Sequence, residues 1–199
     1  MPSHCQSKFK QREEQIFKVA EQLLIEYGDI GMTLAGLAQE LDIAKGTLYK
    51  HFSSKDELFL QLILRNEYLL YECMRNSPPR FDAQLNGLIR YHLDDAERTI
   101  LYHNLEEKLS GVGGETKQLF RQIYQVRKQR LKKIIYTTDV YLRQQQSKVS
   151  VRDYLAMTWS LIFGGALLLN SSFYQRYLGS RETLKISYFK QALEIANKK

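Results

Sequence analysis

Apolar residues recur along this chain at spacings of three and four, the period of an amphipathic helix, and nowhere alternate convincingly as in a strand. Ile16, Ala20, Leu23, Leu24 and Tyr27 make one such stripe, and Gly28 follows where a helix-ending glycine belongs. A second stripe, Leu34, Leu37, Ala38 and Leu41, starts at Thr33, whose hydroxyl suits an N-cap. The turn Asp42-Ile43-Ala44 follows, then a short helix expected from Lys45 to Phe52. Ser54-Lys55-Asp56-Glu57 has the spacing of a capping box and opens a helix from Lys55 to about Met74. Its apolar positions are Leu58, Leu62, Ile63, Leu69 and Leu70. Asn76-Ser77-Pro78-Pro79 ends it, because proline cannot continue a helix and restricts the residue before it.

The remainder also predicts helices. One runs from about Asp82, with Leu85, Leu88, Ile89, His92 and Ala96 on a face, and a shorter one covers Ile100 to Leu109. Gly111, Gly113 and Gly114 break the chain before a long helix from Glu115 to about Gln145. Leu119, Ile123, Val126, Leu131, Ile134 and Leu142 are among its apolar positions. Another spans Ser150 to about Phe173, and the last runs from Ser180 to about Lys198, with Leu184, Tyr188, Ala192 and Ile195 in one stripe. The second half of the Ser150 helix is apolar on almost every face, and such a helix must be covered on every face. In a chain of 199 residues, that points to a second subunit over one side and makes the last two helices the candidates for self-association. Gly164 and Gly165 permit close backbone approach, either between subunits or at a crossing within the chain. The fold class is all-α.

Charge sharpens the picture only when it is divided along the chain. The net charge is +7, yet residues 1–60 hold seven Lys/Arg against nine Asp/Glu. Positive charge there is local: Lys8, Lys10 and Arg12 precede the first stripe, and Lys45, Lys50 and Lys55 lie in and after the short helix. That short helix carries no acidic residue, so it can enter a DNA major groove without repelling the phosphates. The largest basic excess is in residues 117–148, with nine Lys/Arg and one acid, Asp139. Such a run is usually a solvated helix face; an anionic partner or an acidic ligand is the other option.

Other chemistries find little support. No Gly-rich phosphate loop, Gly-x-Ser-x-Gly or His-Glu-x-x-His is present, so no enzyme is expected. Cys5 and Cys73 match neither a zinc spacing nor a disulfide framework, and His4, His51, His92 and His103 form no ligand cluster with them, so no metal or cofactor is expected. The first 15 residues are mostly polar and charged and are unlike a secretory signal, and the only prolines, Pro2, Pro78 and Pro79, leave long helices possible elsewhere. The most apolar run, Tyr154 to Leu169, is 16 residues and falls short of a spanning helix. A cytoplasmic location without membrane association is the expectation.

The order of helix, glycine-containing loop, Thr33 start, "GTLYKHF" and "SSKDEL" over roughly residues 10 to 63 resembles the DNA-binding domain of the TetR family of bacterial transcriptional regulators. The resemblance implies an N-terminal three-helix helix-turn-helix domain, residues 1–54, and a C-terminal helical domain for ligand binding and dimerisation, residues 55–199. It implies double-stranded DNA as partner, a homodimer through the last two helices on a palindromic operator, and release by a small-molecule inducer. An inducer-independent or architectural DNA-binding protein is the alternative.

Carried over residue by residue, the resemblance puts Lys45 and Thr47 at base edges and Gly46 at a close backbone approach. Tyr49, Lys50 and His51 lie toward phosphate, Lys55 at the first turn of the next helix, and Thr33 both caps and touches the backbone. Leu48 and Phe52 point inward. Tyr71, Tyr91, Tyr124, Trp159 and Phe163 are the candidate ligand-binding residues, drawn from a wider aromatic set whose simpler role is core packing.

Overall fold

The computed structural model describes residues 4–111, 116–177 and 179–197, with side chains from Lys8 onward. The break at Gly113 and Gly114, the helix start at Glu115, Lys198, Pro2 and the side chains of His4 and Cys5 lie outside the described residues. Ten helices and no strand occur among those described: α1 (His4–Gly31), α2 (Leu34–Glu40), α3 (Lys45–Leu48), α4 (Lys55–Asn76), α5 (Phe81–Leu93), α6 (Ala96–Leu109), α7 (Lys117–Gln144), α8 (Val151–Asn170), α9 (Ser172–Tyr177) and α10 (Arg181–Ile195). None is long and apolar enough to cross a membrane.

The chain divides into two compact units. The first comprises residues 1–65 and 101–122, the second residues 66–100 and 123–199. The first is wider than the segment 1–54 expected from sequence. Leu58, Phe59, Leu60, Leu62 and Ile63 at the start of α4 are buried, and so are Tyr102, Leu105 and Leu109 of α6. Polar ties add to this: Tyr102 Oη donates to Glu21, and Lys108 pairs with Asp29.

Local signals act at the expected positions, with shifts that have physical causes. Gly28 takes a non-helical conformation at φ 68°, a region that disfavours other residues, and kinks α1 near its end. Ile16, Ala20 and Leu24 are buried, but Tyr27, just before the kink, is exposed. Asp42, at φ 50°, ends α2: its amide donates to the Gln39 carbonyl and that of Ile43 to the Ala38 carbonyl, a Schellman pattern without glycine. Ser54 Oγ accepts from the Glu57 amide at 3.1 Å, while the Glu57 carboxylate reaches back one residue further than the capping box predicts, to the Ser53 amide at 2.7 Å.

In the second unit, α5, α8 and α10 share an apolar core built on Leu88, Ile89, Leu93, Ile162, Ala166 and Ala192. Gly165 belongs to this crossing: a methyl group there would stand 2.9 Å from the Tyr188 ring and 3.2 Å from Leu93. Nothing lies within 4 Å of such a group at Gly164. The stripe of α7 also differs from expectation. Leu131 is exposed, and the buried register runs Ile123, Val126, Arg130, Ile134, Thr138, Leu142. The helix expected to reach Phe173 stops at Asn170, and α9 follows as a separate short helix with no buried residue.

Candidate nucleic-acid interface and a buried polar cluster

The site begins with how a four-residue helix is held. Leu48 of α3 and Phe52 just after it are both 1% exposed, and Phe17 meets Phe52 edge-on at 5.5 Å between ring centroids. The helix ends at Leu48 instead of reaching Phe52, because Lys50 and His51 switch to hydrogen bonds three residues back, on Thr47 and Leu48. With Leu48 inward, Lys45, Gly46, Tyr49 and Lys50 are exposed and Thr47 is half-buried. No atom lies within 4 Å of the space a Cβ on Gly46 would occupy, so that face is open to a close approach. Thr33 is exposed, and its Oγ1 accepts from the Gly36 amide at 3.0 Å as the N-cap of α2. Its hydroxyl proton remains able to donate outward.

Two candidates are placed differently from the rest. The His51 ring stacks on Phe9 at 4.1 Å, and its Nδ1 is buried without a partner among the described residues. Burial lowers its pKa, Glu13 opposes and Arg12 adds to the lowering, so the ring is a neutral packing group near pH 7. Lys55 directs its Nζ to the Asp29 carbonyl oxygen and lies 5.4 Å over the Phe59 ring. Its ammonium thus ties the start of α4 to the end of α1. Lys55→Ala should lower unfolding free energy by about 1–2 kcal/mol, the scale of one charge-assisted hydrogen bond. Urea denaturation checks this; an unchanged midpoint with a weaker salt dependence of DNA binding would instead place the ammonium on phosphate.

The five ligand candidates do not form one set. Tyr124 is 66% exposed on α7 and Tyr71 is half-buried. Tyr91, Trp159 and Phe163 are brought together through His92, whose ring lies 5.5 Å from Tyr91 and 5.2 Å from Trp159, with Trp159 5.0 Å from Phe163. A polar cleft of about 260 Å³ in the first unit, lined by Ser53, Ser54, Glu57, Thr116 and Gln122 among others, contains none of the five.

Beside His92 lies a charged cluster absent from the sequence-based expectation. Glu67 of α4 accepts from Arg127 Nη2 at 2.7 Å and from Arg130 Nη2 at 2.9 Å. Burial pushes the Glu67 carboxyl up, but Arg130 and Arg127 outweigh it and leave its pKa below the ordinary value. The signal was present: Glu67 follows Ile63 by four and precedes Leu70 by three, and Arg130 sits between Val126 and Ile134. A charge at a core register on each of two helices is the pattern to look for.

His92 carries its own pH dependence. Burial foremost, then the Arg130 charge, push its pKa down to about 4 against the pull of Glu67. Unfolded, the ring titrates near 6.5, so between those values the unfolded chain binds the extra proton. Stability is therefore full above pH 6.5 and is lost as pH falls toward 4, by about 3 kcal/mol over the window. Urea midpoints of the wild type should drop relative to those of His92→Gln between pH 7 and 5; parallel curves would show that the ring is not buried neutral.

The described residues form an all-helical chain headed by a helix-turn-helix. Residues 16–62 match the profile of bacterial regulatory proteins of the tetR family. No curated protein matches the sequence. Among solved structures, a tetR-family regulatory protein from Rhodococcus RHA1 shares the fold at a TM-score of 0.71, with 15% identity over 92% of this chain and 95% of that one. PfmR, a TetR family transcriptional regulator of Thermus thermophilus, gives 0.68 with 16% identity, over 90% and 97%. FadR of Bacillus subtilis, solved with stearoyl-CoA, gives 0.61 with 17% identity, over 92% and 98%.

Proposed function

We propose that the chain is a ligand-responsive transcriptional repressor of the cytoplasm, acting as a homodimer on a palindromic operator and released by a small-molecule inducer. The observation that carries the reading is α3 itself, an acid-free helix anchored by Leu48 and Phe52 and exposing Lys45, Gly46, Tyr49 and Lys50. Lys45 and Thr47 read base edges; Lys50, Tyr49 and Thr33 hold phosphates. One such helix spans too few base pairs for selectivity, so two copies are required, and operator symmetry follows protein symmetry.

Leu167, Phe173, Tyr174, Tyr177 and Ile186 of α8, α9 and α10 are exposed large apolar side chains, which supports self-pairing through this end of the chain. FadR of Bacillus subtilis carries a bound acyl-CoA on the same fold, which supports a small-molecule effector here. For an inducer to act, it must favour the conformer that fits DNA poorly, and α4, which contributes residues to both units, is the natural coupler.

A footprint of the full chain on the intergenic region beside its own gene tests this. Protection of two symmetric half-sites about one helical turn apart is expected. Equal affinity for that region and for mixed-sequence DNA would sink the reading.

A further inference from the structure

The cations of α7 fall into two groups. Arg127 and Arg130 hold Glu67, Lys133 donates to the Met74 carbonyl at 3.1 Å, and Arg143 pairs with Asp139 at 2.9 Å. Lys128 and Lys132 are exposed and make no hydrogen bond or ion pair among the described residues. Asp139 is the one acid in the sequence of this helix, and Arg143 neutralises it.

The two unpaired lysines belong to an apolar stripe. Tyr124, Lys128, Leu131 and Ile135 are spaced four, three and four residues apart, the seam of a helix that pairs with another helix. Successive residues of an α-helix are about 100° apart, so these four fall within an arc of about 60°. Tyr124, Leu131 and Ile135 are all exposed. Over the same turns the buried register is carried by Ile123, Val126, Arg130 and Ile134, so the stripe is a second seam and not the edge of the core. Arg127, tied to Glu67, borders it on one side and Lys132 on the other, the positions at which paired helices exchange charges.

We propose that this seam docks an amphipathic helix of a partner protein, one that carries acidic residues beside its own apolar stripe. Charge selects that occupant, because a cation stands within the seam and others along both borders, with no unpaired acid on the helix. A second copy fits poorly: two α7 helices crossing antiparallel at this stripe would set Lys128 of one against Lys132 of the other. A nucleic acid would take the lysines on its phosphates and leave Leu131 and Ile135 in water. A lipid surface requires apolar side chains that reach beyond the headgroups. Leu131 and Ile135 are 46% and 43% exposed, so more than half of each is already covered by the protein. The surface lies apart from α3, and the inference stands whether or not the chain reads DNA.

The full chain is titrated into two fluorescein-labelled peptides of three heptads, both with leucine at the seam positions, one with glutamate and one with lysine along the borders. Anisotropy should saturate for the acidic peptide with a Kd at least about tenfold below that of the basic one, the scale of a few exposed ion pairs made or opposed. Leu131→Gln keeps the volume and loses the apolar contact, so it should weaken the acidic peptide by about tenfold. Lys128→Glu together with Lys132→Glu should reverse the preference between the peptides. Lys148→Glu with Arg152→Glu changes the net charge equally at exposed positions off the seam and should leave the preference as in the wild type. Urea midpoints establish that each variant folds.

Equal affinity for the two peptides, binding of neither, or the same reversal from the off-seam exchange would overturn the proposal. Three further results would overturn it by naming another occupant. Binding to vesicles of equimolar phosphatidylcholine and phosphatidylglycerol that Leu131→Gln abolishes would assign the face to a lipid surface. Mixed-sequence duplex binding lost with the Lys128 and Lys132 exchange would assign it to nucleic acid. A dimer in sedimentation that Leu131→Gln dissociates would make it an interface between copies of this chain.

Discussion

Glu67→Ala should lower the unfolding free energy by about 3–5 kcal/mol, the cost of leaving a buried charge without its partner. The carboxylate sits at a core register of α4, with both oxygens occupied: Arg127 reaches Oε1 through Nε at 3.2 Å and Nη2 at 2.7 Å, and Arg130 reaches Oε2 at 2.9 Å. The side chains of Glu67 and Arg130 are 8% and 9% exposed, so neither group has much access to water, while Arg127 at 38% does. Truncation therefore strands the Arg130 guanidinium far more severely than Arg127. The double variant Glu67→Leu, Arg130→Met removes both buried charges and should recover most of the loss, because apolar replacement of a buried pair is often neutral. Urea unfolding of the wild type and both variants at pH 7 separates the outcomes. A loss under about 1 kcal/mol for Glu67→Ala, the range of an exposed pair, would mean that water reaches the cluster.

Why this cluster was not legible, while the headpiece was, has a physical answer. The N-terminal helices announce themselves through local chemistry that works over three or four residues. Thr33 caps the amide of Gly36, Ser54 caps that of Glu57, and Gly28 adopts a backbone few other residues tolerate. These contacts are close in sequence, so the sequence carries them. The inward turn of Leu48 and Phe52 was readable for the same reason, since one face of a short helix must be apolar to hold it.

The pairing of Glu67 with Arg130 joins residues on different helices, and no local rule connects them. Read alone, Arg130 belongs to a basic run that looks solvated. Several members of that run are in fact occupied: Arg127 and Arg130 hold Glu67, Lys133 donates to the Met74 carbonyl at 3.1 Å, and Arg143 pairs with Asp139 at 2.9 Å. Leucine is usually core, which favours Leu131 over its neighbour as the inward residue. A one-residue difference in register turns it out and Arg130 in. Aromatic residues are ambiguous pocket markers for a related reason. Tyr124 and Trp159 both suit a core or a ligand, and only packing reveals that Tyr124 lies open on α7 while Trp159 touches His92. His51 shows the same limit in the headpiece, where its stacking partner Phe9 lies 42 residues away in sequence.

Lys50→Ala and Lys45→Ala should weaken DNA binding in two distinguishable ways. Both ammonium groups are exposed beside an anchored α3, and each is among the few cations of a headpiece whose net charge over residues 1–60 is negative. Overall attraction to DNA is thus weak, and affinity depends on where the individual charges stand. On the proposed reading, Lys50, exposed past the end of α3, contacts phosphate. Each phosphate contact contributes about 0.9 to the slope of log K against log salt, so loss of one per protomer in a dimer should flatten that slope by about two units. The loss should be equal on operator and mixed DNA, because phosphate contacts carry no sequence information. Lys45 opens the helix, and on the same proposed reading it donates to guanine O6 and N7. Its truncation should cost about 1–3 kcal/mol per half-site on operator DNA and little on mixed DNA, so the specificity ratio collapses while the salt slope changes less. Fluorescence anisotropy with both DNAs at several salt concentrations gives slope and ratio together. Identical changes for the two variants would mean that Lys45 does not read bases.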